Sequence, residues 1–317
     1  MKKVIVNRII DETDLIRTFE FKNVNGEKFA SYEAGSHIDV ETPSGEIRQY
    51  SLCGDPQTNE FLSIAIKKED ASRGGSKSMH ENVEVGDFIK ISDARCHFKL
   101  SNDADHHILI GAGIGITPLL SMAYQCVMEK KPYQLHYFTR SKAQAAFVEL
   151  LSQPPFKDYF FLHLVANRGE IHSPLEAILK GVDSGTNVYT CGPSSFMDTV
   201  VELGSQYIPE RQIHLEAFQA KEINDQVNYP FRVRLASTDT TCEVAEDETL
   251  INALEKLGID IPTSCCEGVC GTCLIPVISG DIDHRDSFLT KEEIEDGDMM
   301  CACVSRTEKG GELIIDM

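Results

Sequence analysis

Six cysteines fall within residues 264–303 of a 317-residue chain, and the spacing of four of them limits what the C-terminal region can fold around. Cys265, Cys270 and Cys273 form C-x4-C-x2-C, and Cys303 follows Cys273 after 29 intervening residues. By this spacing one loop and a distant fourth cysteine hold a plant-type [2Fe-2S] cluster. Thiolates suit ferric iron because they neutralise and delocalise its charge. Small neighbours let backbone N–H groups approach the sulfides, and Gly268 and Gly271 stand where that approach would be made. The rival is a structural zinc site, which uses paired C-x2-C knuckles. Only Cys270 and Cys273 have that spacing, since Cys301 and Cys303 are separated by a single residue. Cys266 and Cys301 are left over and read as small buried hydrophobes.

A chain of 317 residues suggests two or three domains. Hydrophobic residues make up 42% and charged residues 25%, and no apolar run approaches the roughly 20 residues of a membrane span. The opening "MKKVIVNRII" lacks the apolar core of a signal peptide, so a cytoplasmic protein is expected. In that reducing compartment eleven cysteines are thiols or metal ligands rather than disulfides. The net charge of −20 argues against a nucleic-acid partner, which would require clustered Lys and Arg. The charge is uneven: from residue 226 onward 19 Asp/Glu face 7 Lys/Arg. This acidic pole can steer a basic protein surface toward itself.

Three patterns divide the chain. Up to about Leu100, short alternations such as "VIVNRII", "HIDVET" and "FLSIAIK" between turn residues predict an antiparallel β-barrel, assigned to residues 1–102. Over 103–222, strand-like "HHILIGAG", "YQLHYFTR", "FFLHLVA" and "TNVYTCGP" alternate with helix-like "TPLLSMAYQCVMEK" and "HSPLEAILKG", which predicts a parallel sheet covered by helices. The polar "QAKEINDQVNYP" reads as a linker. A hairpin, a helix at Leu250, Ile251, Leu254 and Leu257, and the cysteine loop then make a small α+β module over 223–317.

That module resembles the C-terminal ferredoxin domain of the phthalate dioxygenase reductase family, which also includes the reductases of vanillate demethylase systems. The family has a C-E-x-G-x-C-G-x-C loop, a shared "DHRD" and a closing "CVSR", and the closing match selects Cys303 over Cys301. This chain places Cys266 where the family has Glu, at a position that is not a ligand. The resemblance implies a β-grasp ferredoxin fold.

Upstream, "RQYSL" at 48–52 and "RGGS" at 73–76 resemble the two flavin motifs of the wider ferredoxin-reductase superfamily. Arg48 can pair with phosphate, Tyr50 can lie against the isoalloxazine, and Ser51, followed by Leu52, can reach its N5 edge. Arg73 precedes Gly74 and Gly75, whose N–H groups can face a phosphate, and Ser76 adds a hydroxyl. The family's "RGGS" form implies FMN rather than FAD. Where the family has "P-x-N-x-F-x-L" this chain has "ARCHFKL", and Cys96 and His97 receive no role.

In "ILIGAGIGITPLLSM", Gly111, Gly113 and Gly115 lie between a strand and a helix that starts at Thr117 and Pro118. The spacing is not the Rossmann G-x-G-x-x-G, but it suits a pyrophosphate at a helix N-terminus and matches the superfamily's own form. Thr139, Arg140 and Ser141 follow the next strand, where ribose or phosphate would lie. The resemblance places the turn of Cys191, Gly192 and Pro193 beside the nicotinamide, and puts Glu216 and Phe218 of "HLEAF" near the flavin edge. Ser51, Thr117 and Cys191 are thus expected to border hydride transfer. Arg140 or Arg168 can meet a 2′-phosphate, so NADH over NADPH rests on the resemblance alone.

The expectation is an NADH-dependent oxidoreductase in which a flavin converts two-electron into one-electron chemistry for the cluster. Its implied acceptor is a terminal Rieske-type oxygenase, and the reductase itself is taken as monomeric. The chain is not that oxygenase, because it has no C-x-H paired with C-x2-H and no Glu-x-x-His. The alternative from another class is a flavin and [2Fe-2S] redox sensor that does not oxidise NADH.

Overall fold

The computed structural model describes residues 1–69, 74–219, 227–307 and 310–317, with Arg168 described by its backbone alone. Arg73 and residues 220–226 of the expected linker lie outside these. The chain separates into two compact units, Met1–Glu216 and Ala217–Met317. Among the described residues, no helix is long and apolar enough to cross a membrane.

Alternating apolar residues dictate the first sheet. Strands β1 (Lys2–Asp11), β2 (Ile16–Asn23), β3 (Ser36–Glu41), β4 (Ile47–Ser51) and β5 (Leu62–Lys67) are followed by helix α1 (Gly75–Asn82), β6 (Phe88–Ile91) and β7 (Arg95–Cys96). The order is β4-β3-β6-β1-β2-β5, with β7 on β3, and every pairing is antiparallel. An antiparallel bridge from Leu52 to Ile64 joins the two ends and closes the barrel. Val4, Val6, Phe19, Phe21, Ile38 and Ile64 fill it. Each fully buried side chain of this size stabilises the fold by about 1.5–3 kcal/mol. The all-β expectation omits α1, whose eight residues include a single large apolar side chain, Met79.

The second sheet takes β8 (His106–Ala112), α2 (Ile116–Glu129), β9 (Tyr133–Thr139), α3 (Val148–Leu151), β10 (Phe160–Leu164), α4 (His172–Leu179), β11 (Thr186–Cys191), α5 (Ser194–Gly204) and β12 (Ile213–Glu216). Its order is β10-β9-β8-β11-β12, all parallel. The strand order reverses at β8, so the crevice outside the C-terminal ends of β8 and β11 is where such a sheet binds ligands. Its core is continuous with the barrel: Ile16, Ala34, Phe98 and Leu100 pack in one cluster with Leu109, Leu119, Tyr137 and Tyr189.

The second unit holds β13 (Phe231–Leu235), β14 (Thr241–Val244), α6 (Leu250–Glu255), β15 (Leu274–Ser279), β16 (Ile282–Asp283), α7 (Lys291–Asp296), β17 (Met299–Cys301), β18 (Arg306–Thr307) and β19 (Glu312–Ile315). The main sheet runs β14-β13-β19-β15-β17, with β13 parallel to β19. Helix α6 starts at Thr249, whose side chain accepts from the Asn252 N–H, and it buries Leu250, Ile251, Ala253 and Leu254. The architecture is therefore multi-domain: an antiparallel barrel, a helix-covered parallel sheet and a C-terminal α+β ferredoxin module.

Candidate active site

Arg48 and the glycines after Arg73 come together. A Cβ on Gly75 would lie 2.9 Å from Arg48 Cγ, so only glycine lets α1 begin beneath this side chain. Gly74, at φ 99, turns the chain into α1. Arg48 Nη1 donates to the Ile47 carbonyl at 2.8 Å and pairs with Glu46, whereas Nη2 is buried with no hydrogen-bond partner. An orphaned guanidinium donor over a glycine-started helix N-terminus fits a phosphate. Ser76 Oγ accepts from the Glu69 N–H at 3.2 Å. Tyr50 packs against the barrel core, and burial raises its phenol to about 12.

The nicotinamide motifs meet at the strand ends. Register places Gly111 beside Cys191 and Cys191 beside Glu216 across β8, β11 and β12. A Cβ on Gly115 would fall 2.2 Å from the Cys191 carbonyl oxygen, and one on Gly192 2.9 Å from Ala112 Cβ. The two turns thus touch backbone to backbone. Gly113, at φ 57, opens onto free space. Thr117 is buried, and its hydroxyl donates to the Ile114 carbonyl at 3.0 Å, closing the turn. Pro193 is the N-cap of α5. Thr139 donates to the Ser141 carbonyl at 2.9 Å, while Arg140 and Ser141 are exposed.

Ser51 Oγ donates to Glu216 Oε2 at 3.2 Å and so ties the barrel strand β4 to β12. Burial pushes the Glu216 carboxyl up to about 8, against the lowering effect of that hydrogen bond. Cys191 is fully buried, and burial followed by the charge of Glu216 raises its thiol well above the ordinary range. It is a neutral thiol rather than a nucleophile. Leu52 is buried behind Ser51. Phe218, half-buried, belongs to the second unit.

In the second unit the sulfurs gather in pairs. Cys265 donates to Cys270, and Cys301 and Cys303 both donate to Cys273, which draws Cys270 and Cys273 below the ordinary thiol range. The N–H of Glu267 points at Cys265 Sγ at 3.3 Å and that of Thr272 at Cys270 Sγ at 3.5 Å. The Gly268 N–H reaches Cys303, which also senses Cys265 across the loop, whereas Cys301 senses Cys273, Asp286 and Cys303. Among the described residues no three or more His, Cys, Asp or Glu converge to hold a single metal ion. A two-iron cluster asks for two thiolates on each iron, and the pairs 265/270 and 273/303, ringed by N–H donors, fit that demand.

One expectation about the loop changes. Cys266 is exposed at φ 54, not a buried hydrophobe, because the left-handed turn directs it outward; Cys301 is fully buried as expected. Gly268 and Gly271 have left-handed backbones, and their Cβ positions are already taken by Val304 and by the Phe288 ring.

Pocket size does not locate this chemistry. A cleft of about 980 Å³ in the first unit is lined by Glu12, Cys53, Ser63, Tyr124, Lys142 and Gln153, among others, and by none of the expected site residues. Three neighbours of the site escaped sequence reasoning. His37, buried with Nε2 unpartnered, lies opposite Ser51 in register. Arg306 donates to the carbonyls of Glu248, Tyr229 and Ala245. Asp286 packs against Gly268 of the cysteine loop. The quoted motifs "DHRD" and "CVSR" contain the last two, but spacing alone assigns them no partner.

Residues 233–308 match the family described as a 2Fe-2S iron-sulfur cluster binding domain, and 89–213 match a dimethylamine monooxygenase subunit DmmA-like N-terminal domain. The chain is 37% identical over 318 residues to a vanillate O-demethylase oxidoreductase of Pseudomonas sp. (strain HR199 / DSM 7063), covering all of both chains. A solved phthalate dioxygenase reductase, titled a modular structure for electron transfer from pyridine nucleotides to [2Fe-2S], superposes with TM-score 0.73 and 32% identity, over 99% of this chain and 97% of that one. The chain belongs to the phthalate dioxygenase reductase family. Members of this family are oxidoreductases, and the fold is that of flavin and [2Fe-2S] electron transfer in oxygenase systems. A type IV self-sufficient cytochrome P450 monooxygenase also matches, at TM-score 0.88 and 32% identity; this chain spans 41% of that longer one.

Proposed function

We propose that the protein oxidises NADH and passes the electrons singly, through FMN and a [2Fe-2S] cluster, to a partner oxygenase of the Rieske type. The observation that carries this reading is the Ser51–Glu216 hydrogen bond, which joins the flavin-motif strand to the nicotinamide-motif strand beside Cys191. Bound there, FMN supplies the exchange between hydride and single electrons, and the cluster supplies one-electron relay.

The chain's own residues do the rest. Arg48 Nη2 and the N–H groups at Gly74 and Gly75 hold the flavin phosphate, and Tyr50 borders the ring. The Gly111–Gly115 turn and the Cys191–Pro193 turn bind the dinucleotide. Thr117 holds the first of these turns in shape, and Ser51 presents its hydroxyl to the reacting edge. Glu216, protonated below about 8, can hold a proton on its carboxyl while Oε2 accepts from Ser51. Cys191 lines the site as a small neutral group and helps to exclude water. Cys265, Cys270, Cys273 and Cys303 are the proposed ligands. Residues 1–102, 103–222 and 223–317 are the proposed functional modules.

Anaerobic titration with NADH tests the reading. Both the flavin and the cluster absorbance are expected to bleach, with added cytochrome c reduced in turn. Bound cofactors that stay oxidised would leave the redox-sensor alternative standing. Releasing the flavin and weighing it separates FMN from FAD, and parallel titration with NADPH separates the nucleotides. A haem monooxygenase as acceptor is the second reading, supported by the fit of the whole chain onto part of the self-sufficient P450.

A further inference from the structure

The D-H-R-D segment at 283–286 holds none of the proposed ligands, yet it folds against the cysteine loop. The Ser287 N–H donates to the Gly268 carbonyl at 2.9 Å. A Cβ on Gly268 would fall 3.0 Å from Asp286 Cα and 3.1 Å from its Cβ. The Asp286 side chain has no solvent exposure. Its Oδ2 accepts the N–H groups of Phe288 at 3.1 Å and Leu289 at 2.8 Å, and its Oδ1 accepts the Ser305 hydroxyl at 3.3 Å. Every one of these partners donates, which favours the charged, acceptor-only carboxylate.

Among the described residues no lysine or arginine bridges to this carboxylate. Arg285, its neighbour, turns instead to Asp283 at 2.7 Å and Asn228 at 2.6 Å, and His284 Nδ1 stays 3.7 Å away. A buried carboxylate that, among the described residues, no lysine or arginine pairs with therefore sits between Gly268, inside the cysteine loop, and Ser305, two residues beyond Cys303.

We propose that Asp286 sets the reduction potential of the cluster held by Cys265, Cys270, Cys273 and Cys303. It is a positioning residue that touches neither iron nor substrate. Its fixed negative charge, poorly screened in the interior, opposes arrival of another electron and lowers the potential. The inference rests on the cluster reading.

Asp286→Asn isolates the charge from the shape. The amide oxygen can take the place of Oδ2 and keep both N–H bonds, while the amide nitrogen donates to Ser305 Oγ. Spectroelectrochemical titration of the full-length protein carrying flavin and cluster, at one pH and ionic strength, reads the effect. The variant is expected to raise the reduced-to-oxidised ratio of the cluster about tenfold at any fixed solution potential, which is 59 mV for one electron. Ser305→Ala removes a donor, leaves the carboxylate less compensated and is expected to shift the ratio the opposite way. Asp283→Asn, whose carboxylate already pairs with Arg285, is the control and is expected to titrate with the wild type.

A wild-type and an Asp286→Asn titration that agree within twofold would overturn the proposal. So would a Ser305→Ala ratio that is unchanged or rises, which decides the matter if Asp286→Asn fails to retain the cluster. A wild-type protein that holds no iron would sink the cluster reading first, and it is seen without any variant.

Discussion

At the scale of single residues, Glu216 carries a testable electrostatic signature. The native chain holds its proton up to about 8, while the unfolded chain releases it near 4.5. Across that window the native state binds more protons, so stability falls as pH rises, by at most about 1.4 kcal/mol per pH unit. Glu216→Gln is expected to melt at a less pH-dependent temperature than the wild type from 4.5 to 8 and to converge with it below; parallel pH slopes would refute the buried carboxyl. The sulfurs give a second test. Cys303→Ser is expected to lose iron and labile sulfide while flavin is retained, and Cys301→Ser to keep both; the reverse would exchange the assignments. The cysteine spacing was legible because one loop carries three of the four proposed ligands. Asp286 and Arg306 were not, since Ser305 lies 19 residues from Asp286 and the carbonyls that Arg306 meets lie 58 to 77 residues from it, partners chosen by folding.

At the scale of elements, strand and helix alternation announced the parallel sheet, and the alternating apolar runs announced the barrel. What pattern reading missed is α1. Its start is set by the positive φ of Gly74 and by Arg48, a residue from another strand, not by apolar period. The turn before α2 reads from sequence as a dinucleotide turn, but the structural reason for its third glycine is steric and tertiary. Gly115→Ala would drive a Cβ to 2.2 Å from the Cys191 carbonyl oxygen and 2.7 Å from the Gly192 nitrogen, both backbone atoms. Overpacking of this kind costs about 1–3 kcal/mol. The variant is expected to unfold at lower urea and to be reduced more slowly by NADH with its iron content unchanged; wild-type behaviour in both would show that the two turns are free to part.

At the scale of the molecule, the packing divides the chain in two although three functional modules were expected. The barrel and the parallel sheet share one apolar cluster, and Glu12 adds a polar tie by accepting from Thr18 on the barrel and from the Phe147 N–H on the sheet side. A chain ending at residue 216 is therefore expected to melt in one calorimetric transition, and two separated transitions would contradict the shared core. The change of rhythm near residue 102 is visible in the sequence. The continuity across it is not, because Ile16, Ala34 and Phe98 carry no mark in the sequence of which neighbour they will meet.

The second unit differs. Phe231, Val233, Leu254, Ile275, Met300 and Leu313 pack in a cluster drawn entirely from residues 231–317. Residues 217–317 made alone are expected to fold and to take up iron and sulfide, and failure to do so would mean that the cluster loop depends on the first unit. A core that closes within its own segment also lets its surface drift freely. Substitutions that refit the acidic outlet to a different acceptor need leave no trace in the hydride-handling body, so that body can be inherited unchanged while its outlet is exchanged.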